Sequence, residues 1–543
     1  MRLHWTKRSL LRWLGTPILS TAALLVACER DQELPTGPPR PALEQEALPA
    51  EVQEGLKAQL EHLSTMPMLL TADQLGVTEI QGKSIHPQNQ EAHNGPKKLN
   101  DVPIANHPTA HENEPTVTTN PKKKNLLVAG NHFIIGGRVR CEARNSSDGG
   151  ESWSAPVQMP QLSPASNCSD PVLAYAPDGS RVFYAYMDVK PGDFDILVSY
   201  SADDGASWTG PFVALNSVPG VFIYDKPWIG TPDDEANFVF VTATRFDITG
   251  VGFCHIVFTR STNGGTVYGA PQTLDQSTAG CGAGPSPVVQ GSRPTGAKQG
   301  NVLVAWYHSG FDGFLNGSFH IRVRHSADFG ATFGPTVDAV TDRSELNFFK
   351  GPAFCYERWW PGMMPDVEID PGGGGHIAYT HDPVAGAATA EEGDIRYIES
   401  PGPPYTSWSL PTTVNDDGTV SAQGFVALDV KAEGTGQSAK PHATWVDSRR
   451  PLELVAAPQC PFFPDIENLE YDIFYSTRQG GGWRPNVRVT SQASLSDFFF
   501  AGDYNDLTPT TGGLFTVFTD RRDKRSIFDL EDDIWGSLTH RVH

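Results

Sequence analysis

Arginine and tryptophan side chains recur in the segments that link the predicted strands of this chain. A guanidinium group binds a carboxylate through two parallel hydrogen bonds, and its flat face, like an aromatic ring, stacks on planar surfaces. Exposed tryptophan rings also offer flat faces to sugar rings. Together these residue types favour recognition of an acidic carbohydrate. The candidate substrate-binding residues are Arg245, Arg358, Arg449, Arg521 and Trp359.

Several of these arginines have an aspartate close by in sequence, which leaves a structural alternative open. Asp447-Ser448-Arg449 and Asp520-Arg521-Arg522 occupy the same place in two adjacent repeats. A repeated Asp/Arg pair at a strand end is often an ion pair that fixes one repeat against the next. The sequence is compatible with either role.

A short element recurs along the chain and predicts where hairpin turns lie. It reads Ser-x-Asp-x-Gly-x-Ser or Thr and ends in an aromatic residue. In such a turn Asp hydrogen-bonds the local backbone, Gly adopts a positive φ, and the aromatic ring packs beneath. We therefore expect these residues to be structural. The three clear copies are Ser146, Asp148, Gly150 and Trp153; Ser201, Asp203, Gly205 and Trp208; and Ser326, Asp328, Gly330 and Phe333.

This element resembles the Asp-box, or BNR repeat, of the sialidase superfamily of β-propellers. The resemblance spans residues 113–543 and implies an all-β propeller of four-stranded blades. Seven blades are expected, and six, the number in sialidases, is the alternative. The seventh unit lacks an outer strand, so we expect an N-terminal strand around residues 77–81 to complete it and close the ring. The seven inner strands are predicted near residues 115–120, 171–176, 226–231, 286–290, 366–370, 426–430 and 504–509.

The resemblance also implies a catalytic constellation. Sialidases use three arginines on the substrate carboxylate, a tyrosine nucleophile activated by a glutamate, and an aspartate as acid/base. By this analogy the candidates are, for catalysis, Tyr356, Glu357 and Asp188 and, for the carboxylate clamp, Arg245, Arg358 and Arg449. The sequence lacks the Arg-Ile-Pro signature of the family's first arginine, so no catalytic residue is carried over by motif.

The first 28 residues resemble a bacterial lipoprotein signal. Basic residues precede an apolar run that ends at Leu25-Val26-Ala27-Cys28. Cleavage before Cys28 and acylation of its thiol would anchor the protein to the cell envelope, at the outer membrane or cell surface. An ordinary signal peptide or an uncleaved anchor is the alternative. Residues 29–112 are predicted to be a Pro-rich tether with a short amphipathic helix at 51–63 and a polar lead-in.

The remaining six cysteines suit an oxidising compartment. Cys141 and Cys168 are 27 residues apart, and so are Cys254 and Cys281. Each pair joins equivalent places in two repeats, so we predict both as disulfides. By elimination Cys355 would pair with Cys460, while buried free thiols are the alternative. No Cys or His spacing typical of a metal site accompanies them, and neither a metal nor a cofactor is predicted.

The formal net charge of −22 and the absence of a basic stripe argue against a nucleic-acid partner. The expected partner is an acidic glycan or glycoconjugate, with the membrane contacted only through the lipid anchor. The leading hypothesis is an exo-sialidase-type glycoside hydrolase. A non-catalytic glycan- or protein-binding propeller is the main alternative, and a polysaccharide lyase using His308 with Arg245 is a third.

Overall fold

The structure is a computed structural model, and every regular element that it describes is a β-strand. Among the residues that the structure describes, no helix is long and apolar enough to cross a membrane. Cys28 and the helix predicted at 51–63 lie outside the described residues. The structure describes residues 79–80, 83–84, 101–107, 110–281, 286–310, 317–344, 364–381, 393–418, 423–431, 439–449, 470–495, 502–522 and 532–540.

Seven antiparallel sheets form the blades of a propeller, each strand pairing with the next from the central axis outwards. The strands of blades 1 to 4, from inner to outer, are β4 (His111–Thr119), β5 (Leu127–Ile135), β6 (Arg138–Ser146) and β7 (Val157–Gln158); β8 (Asn167–Tyr175), β9 (Val182–Lys190), β10 (Asp193–Ser201) and β11 (Thr209–Leu215); β12 (Phe222–Gly230), β13 (Val239–Asp247), β14 (Cys254–Ser261) and β15 (Gln272–Gln276); and β16 (Val289–Gly296), β17 (Val302–Ser309), β18 (Gly317–Ser326) and β19 (Val337–Ser344).

The other three blades follow the same order, although the outer edge of blade 6 is divided among three two-residue strands. Their strands are β20 (Asp366–Ile369), β21 (Gly375–His381), β22 (Asp394–Ser400) and β23 (Thr412–Thr413); β24 (Gln423–Asp429), β25 (His442–Asp447), β26 (Glu470–Gln479), β27 (Gly482–Trp483), β28 (Val487–Arg488) and β29 (Ser494–Leu495); and β30 (Asp506–Thr510), β31 (Gly513–Asp520), β32 (Asp533–His540) and β3 (Asp101–Ala105). The seven blades predicted from the repeats are confirmed.

The inner strands of blades 1 to 3 begin earlier than the sequence indicated. β4, β8 and β12 start at His111, Asn167 and Phe222 rather than at 115, 171 and 226. Pro115 and Pro171 had marked the expected beginnings of the first two strands, and Pro227 stands one residue inside the expected third strand. In the structure a bulge accommodates the proline inside the strand, so pairing continues on both sides of it.

An N-terminal strand closes the ring, but the predicted location of that strand was wrong. The strand that completes blade 7 is β3, which pairs with β32. Residues 79–80, within the expected strand, form β1 (Glu79–Ile80) and pair only with β2 (Lys83–Ser84). Ile104 and Ala105 of β3 are buried in one cluster with Phe515 and Ile534, which supplies the reason for this register. Pro103 weakens the strand signal in the sequence, although proline is tolerated on the edge strand of a sheet.

The Ser-x-Asp-x-Gly elements form turns between third and outer strands. In blade 4, Ser326 Oγ donates to Asp328 at 2.7 Å and accepts from the Gly330 amide at 2.8 Å, while Asp328 accepts from the Thr332 amide at 2.9 Å. Gly330 has a φ of 75°, and a Cβ there would overlap the ring of Phe258 in blade 3. The turn therefore locks onto the preceding blade.

Both predicted disulfides between equivalent positions are confirmed. Cys141–Cys168 joins β6 of blade 1 to β8 of blade 2, with the Cα atoms 5.6 Å apart. Cys254–Cys281 joins β14 of blade 3 to the segment before blade 4, with a Cα separation of 5.2 Å. Cys355 and Cys460 lie outside the described residues.

Candidate functional site

Three charged residues occupy the same bulge position on the inner strands of blades 1, 2 and 3. Glu114, Asp170 and Lys226 have φ values of 53°, 51° and 52°, and a proline follows each of them. A left-handed conformation at a non-glycine residue costs about 1–3 kcal/mol and often marks a functional position. Here it brings three ionisable side chains together at the propeller axis.

The three residues meet Asp503, from the segment before β30, to form a buried group that we term the channel cluster. The Lys226 Nζ atom lies 3.1 Å from Asp170, 3.4 Å from Asp503 and 3.7 Å from Glu114. One carboxylate oxygen of each acidic residue lies within 4.8 Å of the other two. All four side chains are at most 4 % exposed. One ammonium group is therefore shared among three carboxyl groups in a site shielded from water.

Burial dominates the protonation behaviour of the channel cluster. It raises the pKa of the Glu114 carboxyl, and the attraction of Lys226 only partly offsets that effect. Burial, reinforced by Glu114, also raises the pKa of Asp170. Burial alone would lower the pKa of Lys226, but Asp503, Glu114 and Asp170 outweigh it and raise that pKa. The cluster thus keeps a protonated lysine and favours retention of a carboxyl proton.

Two ring side chains complete the surroundings of the cluster. His132 Nδ1 lies 3.2 Å from Glu114, and burial lowers the pKa of His132 to about 4, which keeps the imidazole neutral near pH 7. The Tyr504 ring centroid lies 4.1 Å from the Lys226 Nζ atom, and the Tyr504 hydroxyl donates to the Pro171 carbonyl at 2.7 Å. The lysine is therefore fixed by carboxylates on some sides and by an aromatic face on another.

A second polar layer lines the inner strands of the other blades. Arg293 on β16 pairs with Asp366 on β20 at 2.8 Å and lies 3.7 Å from the Trp228 ring centroid. Asp506 on β30 accepts from the Thr116 hydroxyl and from the Val117 amide, each at 2.9 Å. These contacts join the inner strands of neighbouring blades, so this layer has an evident structural role.

The predicted clamp residue Arg245 is ion-paired within its own blade. Its Nε atom lies 3.0 Å from Asp247, a terminal nitrogen lies 2.9 Å from His255, and the guanidinium stacks 5.0 Å from the Phe222 ring centroid. The side chain is nevertheless 27 % exposed. A substrate carboxylate could reach this guanidinium from solvent, in competition with Asp247.

Arg449 and Arg522 take equivalent positions in blades 6 and 7. Each binds the aspartate two residues before it, Asp447 at 2.7 Å and Asp520 at 2.5 Å. Arg522 also reaches Asp101 of the closing strand at 2.6 Å. Both arginines thus make contacts of the kind expected from the structural alternative, in which an Asp/Arg ion pair fixes one blade against the next.

Arg521 and Asp188 are both fully enclosed. Arg521 binds Asp532 through two nitrogens, at 2.6 and 2.9 Å, and its side chain is 0 % exposed. Asp188 accepts from the Ser166 hydroxyl at 2.9 Å and lies 3.6 Å from Lys190 Nζ, also at 0 % exposure. Burial raises the pKa of Asp188. The contacts of Arg521 and Asp188 are with neighbours in their own part of the propeller.

Four predicted site residues lie outside the described residues. They are Tyr356, Glu357, Arg358 and Trp359. Their proposed roles as nucleophile, activating base, clamp and sugar platform remain predictions.

None of Glu114, Asp170, Lys226 and Asp503 is among the site residues predicted from the sequence. A signal was present: a charged residue stands directly before proline at 114–115, 170–171 and 226–227. The repeat of that dipeptide at equivalent positions would have found three of the four members of the cluster. Its meaning was hidden because the expected strands began at these dipeptides, which left Glu114 and Asp170 just outside them.

No protein-family model matches the sequence, and no curated protein is significantly similar to it. Solved structures with a similar fold include a GH93 α-L-arabinofuranosidase of Fusarium graminearum in complex with arabinobiose, at 12% identity and a TM-score of 0.44 over 81% of this chain and 98% of that chain. They also include a PL25 ulvan lyase, at 10% identity and a TM-score of 0.46 over 83% and 96% of the two chains. A Hadza microbial sialidase is similar at 14% identity, with a TM-score of 0.40 over 76% of each chain.

Proposed function

We propose that this protein acts on glycans at the mouth of its central channel, as a glycoside hydrolase whose reacting carboxyl groups belong to the channel cluster. The observation that carries the proposal is the convergence of three carboxyl groups from different blades, with oxygens within 4.8 Å of one another. Two of the three sit at left-handed positions that cost conformational energy. Glu114 and Asp170 lie inside their inner strands, in the half of each strand that is farther from the Ser-x-Asp turns.

Glycoside hydrolysis uses a carboxyl group that protonates the leaving oxygen and a second carboxylate that attacks or activates water. In the proposed mechanism Glu114 donates the proton, because it is fully buried beside the neutral His132. Asp170 or Asp503 is the second carboxylate. Carboxyl groups about 5–5.5 Å apart act with retention of configuration, so the close approach here favours the retaining route.

Lys226 would hold the second carboxylate ionised and would stabilise the negative charge left after proton donation. Its nitrogen contacts all three carboxyl groups, and so it couples their charges. Such preorganised charges are effective in a site that excludes water. The 1 % exposure of the lysine also means that substrate entry requires the channel mouth to open.

We propose that the substrate is acidic and that Arg245 is its carboxylate-binding residue. Among the arginines with described contacts in the predicted clamp, Arg245 is the more exposed, at 27 % against 14 % for Arg449. Arg358 lies outside the described residues. Binding would exchange the aspartate partner of Arg245 for the carboxylate of the sugar, which keeps the number of ion pairs constant.

The test is release of fluorophore from a panel of aryl glycosides that includes a sialoside, a uronide and an uncharged arabinofuranoside. Glu114→Gln and Asp170→Asn should each lower kcat by about 10²-fold or more, the usual loss for an acid/base group. Arg245→Gln should raise KM for the charged substrates only. The control is Glu399→Gln, since Glu399 pairs with Arg478 at 3.0 Å and lies far from the cluster.

A non-catalytic glycan- or protein-binding propeller is the second candidate function. Its specific support is the closure of the channel cluster, whose side chains are at most 4 % exposed, as in a structural ion-pair network. Absence of turnover on every glycoside, together with binding on a glycan array, would select this function and reject hydrolysis.

We also propose that the protein is a lipid-anchored component of the bacterial cell envelope. The lipobox-like sequence before Cys28 and the two disulfides support export. Metabolic labelling with a radioactive fatty acid should mark the full chain and fail to mark Cys28→Ser. Equal labelling of both chains would refute acylation at this cysteine.

A further inference from the structure

A second group of ionisable side chains lies away from the channel cluster, where the closing strand meets blade 1. His107 follows β3, Glu112 lies on β4, and Glu142 lies on β6. The His107 Nε2 atom lies 3.5 Å from Glu112 Oε1 and 3.3 Å from Glu142 Oε2. We propose that these three residues bind a divalent transition-metal ion, Zn²⁺ or Mn²⁺, and term this group the closure site.

The distances between the donor atoms fit one ion. A metal with bonds of about 2.0–2.2 Å in a tetrahedral arrangement places neighbouring ligand atoms about 3.3–3.6 Å apart. The two distances from His107 fall in this range, and all three donor atoms lie within 4.8 Å of one another. Only a small adjustment of the glutamates would be needed for coordination.

Glu112 is buried beside other acidic side chains of the closure site. The side chain of Glu112 is 0 % exposed, and its carboxylate contacts the Ile534 backbone amide and lies 3.5 Å from His107 Nε2. Glu142 and Asp533 add negative charge nearby, whereas Arg144 supplies one positive charge. Ionising a buried carboxyl beside other carboxylates is costly, and a bound metal ion would offset that cost.

Arg144 is placed to position one ligand rather than to replace the ion. Its Nη1 atom donates to Glu142 Oε1, which leaves Oε2 facing His107. An outer contact that orients a ligating carboxylate in this way is typical of metal sites. On the other side, the His107 ring stacks against Phe133, with the centroids 5.2 Å apart, which fixes the direction of the imidazole.

The donor set indicates which metal. Imidazole nitrogen combined with carboxylate oxygen suits Zn²⁺ and Mn²⁺, whereas Ca²⁺ prefers six to eight oxygen ligands. Three protein ligands leave at least one coordination position for water. The 30 % exposure of the His107 side chain provides the entry path. Because His107 follows the closing strand and both glutamates belong to blade 1, the ion would tie the end of the closing strand to that blade.

The experiment is calorimetric titration of the full chain, purified without a polyhistidine tag and stripped with a chelator, against Zn²⁺, Mn²⁺ and Ca²⁺. We expect one Zn²⁺ or Mn²⁺ per chain and a higher Tm in its presence, with Ca²⁺ far weaker. His107→Ala and Glu112→Gln should each weaken binding at least about tenfold. Zinc X-ray absorption should report one nitrogen and two carboxylate oxygens from protein.

The matched control is His320→Ala, because His320 is also partly exposed and lies 3.8 Å from a carboxylate of Asp338. This variant should bind Zn²⁺ like the unaltered chain. Failure of the unaltered chain to bind either transition metal stoichiometrically would overturn the proposal. Unchanged affinity in both His107→Ala and Glu112→Gln would also overturn it, because the ion would then lie elsewhere. Glu112→Gln keeps the size of the buried side chain, so a loss of binding in a variant with an unchanged Tm would report on the ligand and not on folding.

Discussion

At the scale of single residues, the cost of burying charge determines the pKa values of the acidic side chains at the propeller axis. Lys226 is 1 % exposed and offsets only part of the charge of three surrounding carboxyl groups. Burial therefore raises the pKa values of Glu114 and Asp170. The same effect operates at Asp506, where burial raises the pKa to about 6 although backbone amides donate to the carboxylate.

Asp506→Asn tests that effect through the pH dependence of stability. A carboxyl whose pKa is raised on folding stabilises the fold below its unfolded pKa of about 4, and this contribution is lost as pH rises through about 6. Asparagine cannot ionise. Relative to the unaltered chain, the variant should therefore gain about 1–2 kcal/mol in the free energy of unfolding between pH 4 and pH 7, a value reduced for solvent screening because Asp506 is partly exposed.

Urea unfolding of both proteins at several pH values measures the difference. A constant offset is expected in addition, because Asp506 also accepts from the Leu507 amide at 2.8 Å, and an asparagine nitrogen cannot. Parallel stability curves over this pH range would contradict a raised pKa at Asp506.

At the scale of elements, the Ser-x-Asp-x-Gly turns also hold neighbouring blades together. The glycines of these turns pack against the blade before them: Gly150 meets Phe515, Gly265 meets Phe183, and Gly330 meets Phe258. A positive φ and the lack of a Cβ are both required at these positions. The motif recurs in the sequence because each copy must satisfy the same turn and the same contact between blades.

Gly330→Ala should therefore destabilise the propeller by about 2 kcal/mol or more, because it combines backbone strain with overlap of the Phe258 ring. Thermal unfolding followed by circular dichroism measures the effect. Gly418→Ala is the matched control, since a Cβ at Gly418 would have no atom within 4 Å. Equal Tm values for the two variants would show that the turn does not lock the blades.

At the scale of the whole molecule, the ring depends on one short strand that is remote in sequence from its partner. β3 pairs with β32, and Ile104 is 6 % exposed beside residues of both terminal blades. Asp101 adds an ion pair to Arg522 at 2.6 Å and accepts from Ser491. This pairing covers the edge of β32 and leaves the shorter β3 as the outer edge of blade 7.

Ile104→Asp should open this closure, with an expected loss of about 3 kcal/mol or more from burying an unpaired charge in an apolar cluster. The free energy of unfolding in urea is the measurement. Ile80→Asp is the control, because β1 pairs only with β2. If the Ile80 variant were the less stable of the two, the ring would not depend on the strand at 101–105.

The sequence by itself determined the propeller, the seven units and two disulfides, because turns, strand alternation and cysteine spacing are local patterns that repeat with the blade. It placed the closing strand at 77–81 rather than at 101–105, since Pro103 and a polar neighbourhood weaken the local signal. Only the tertiary structure decided which charged residues meet. Glu114, Asp170, Lys226 and Asp503 converge at the axis because the circular arrangement of the blades brings together strands that are remote in sequence. His107, Glu112 and Glu142 meet at the closure site because the segment after β3 lies against blade 1.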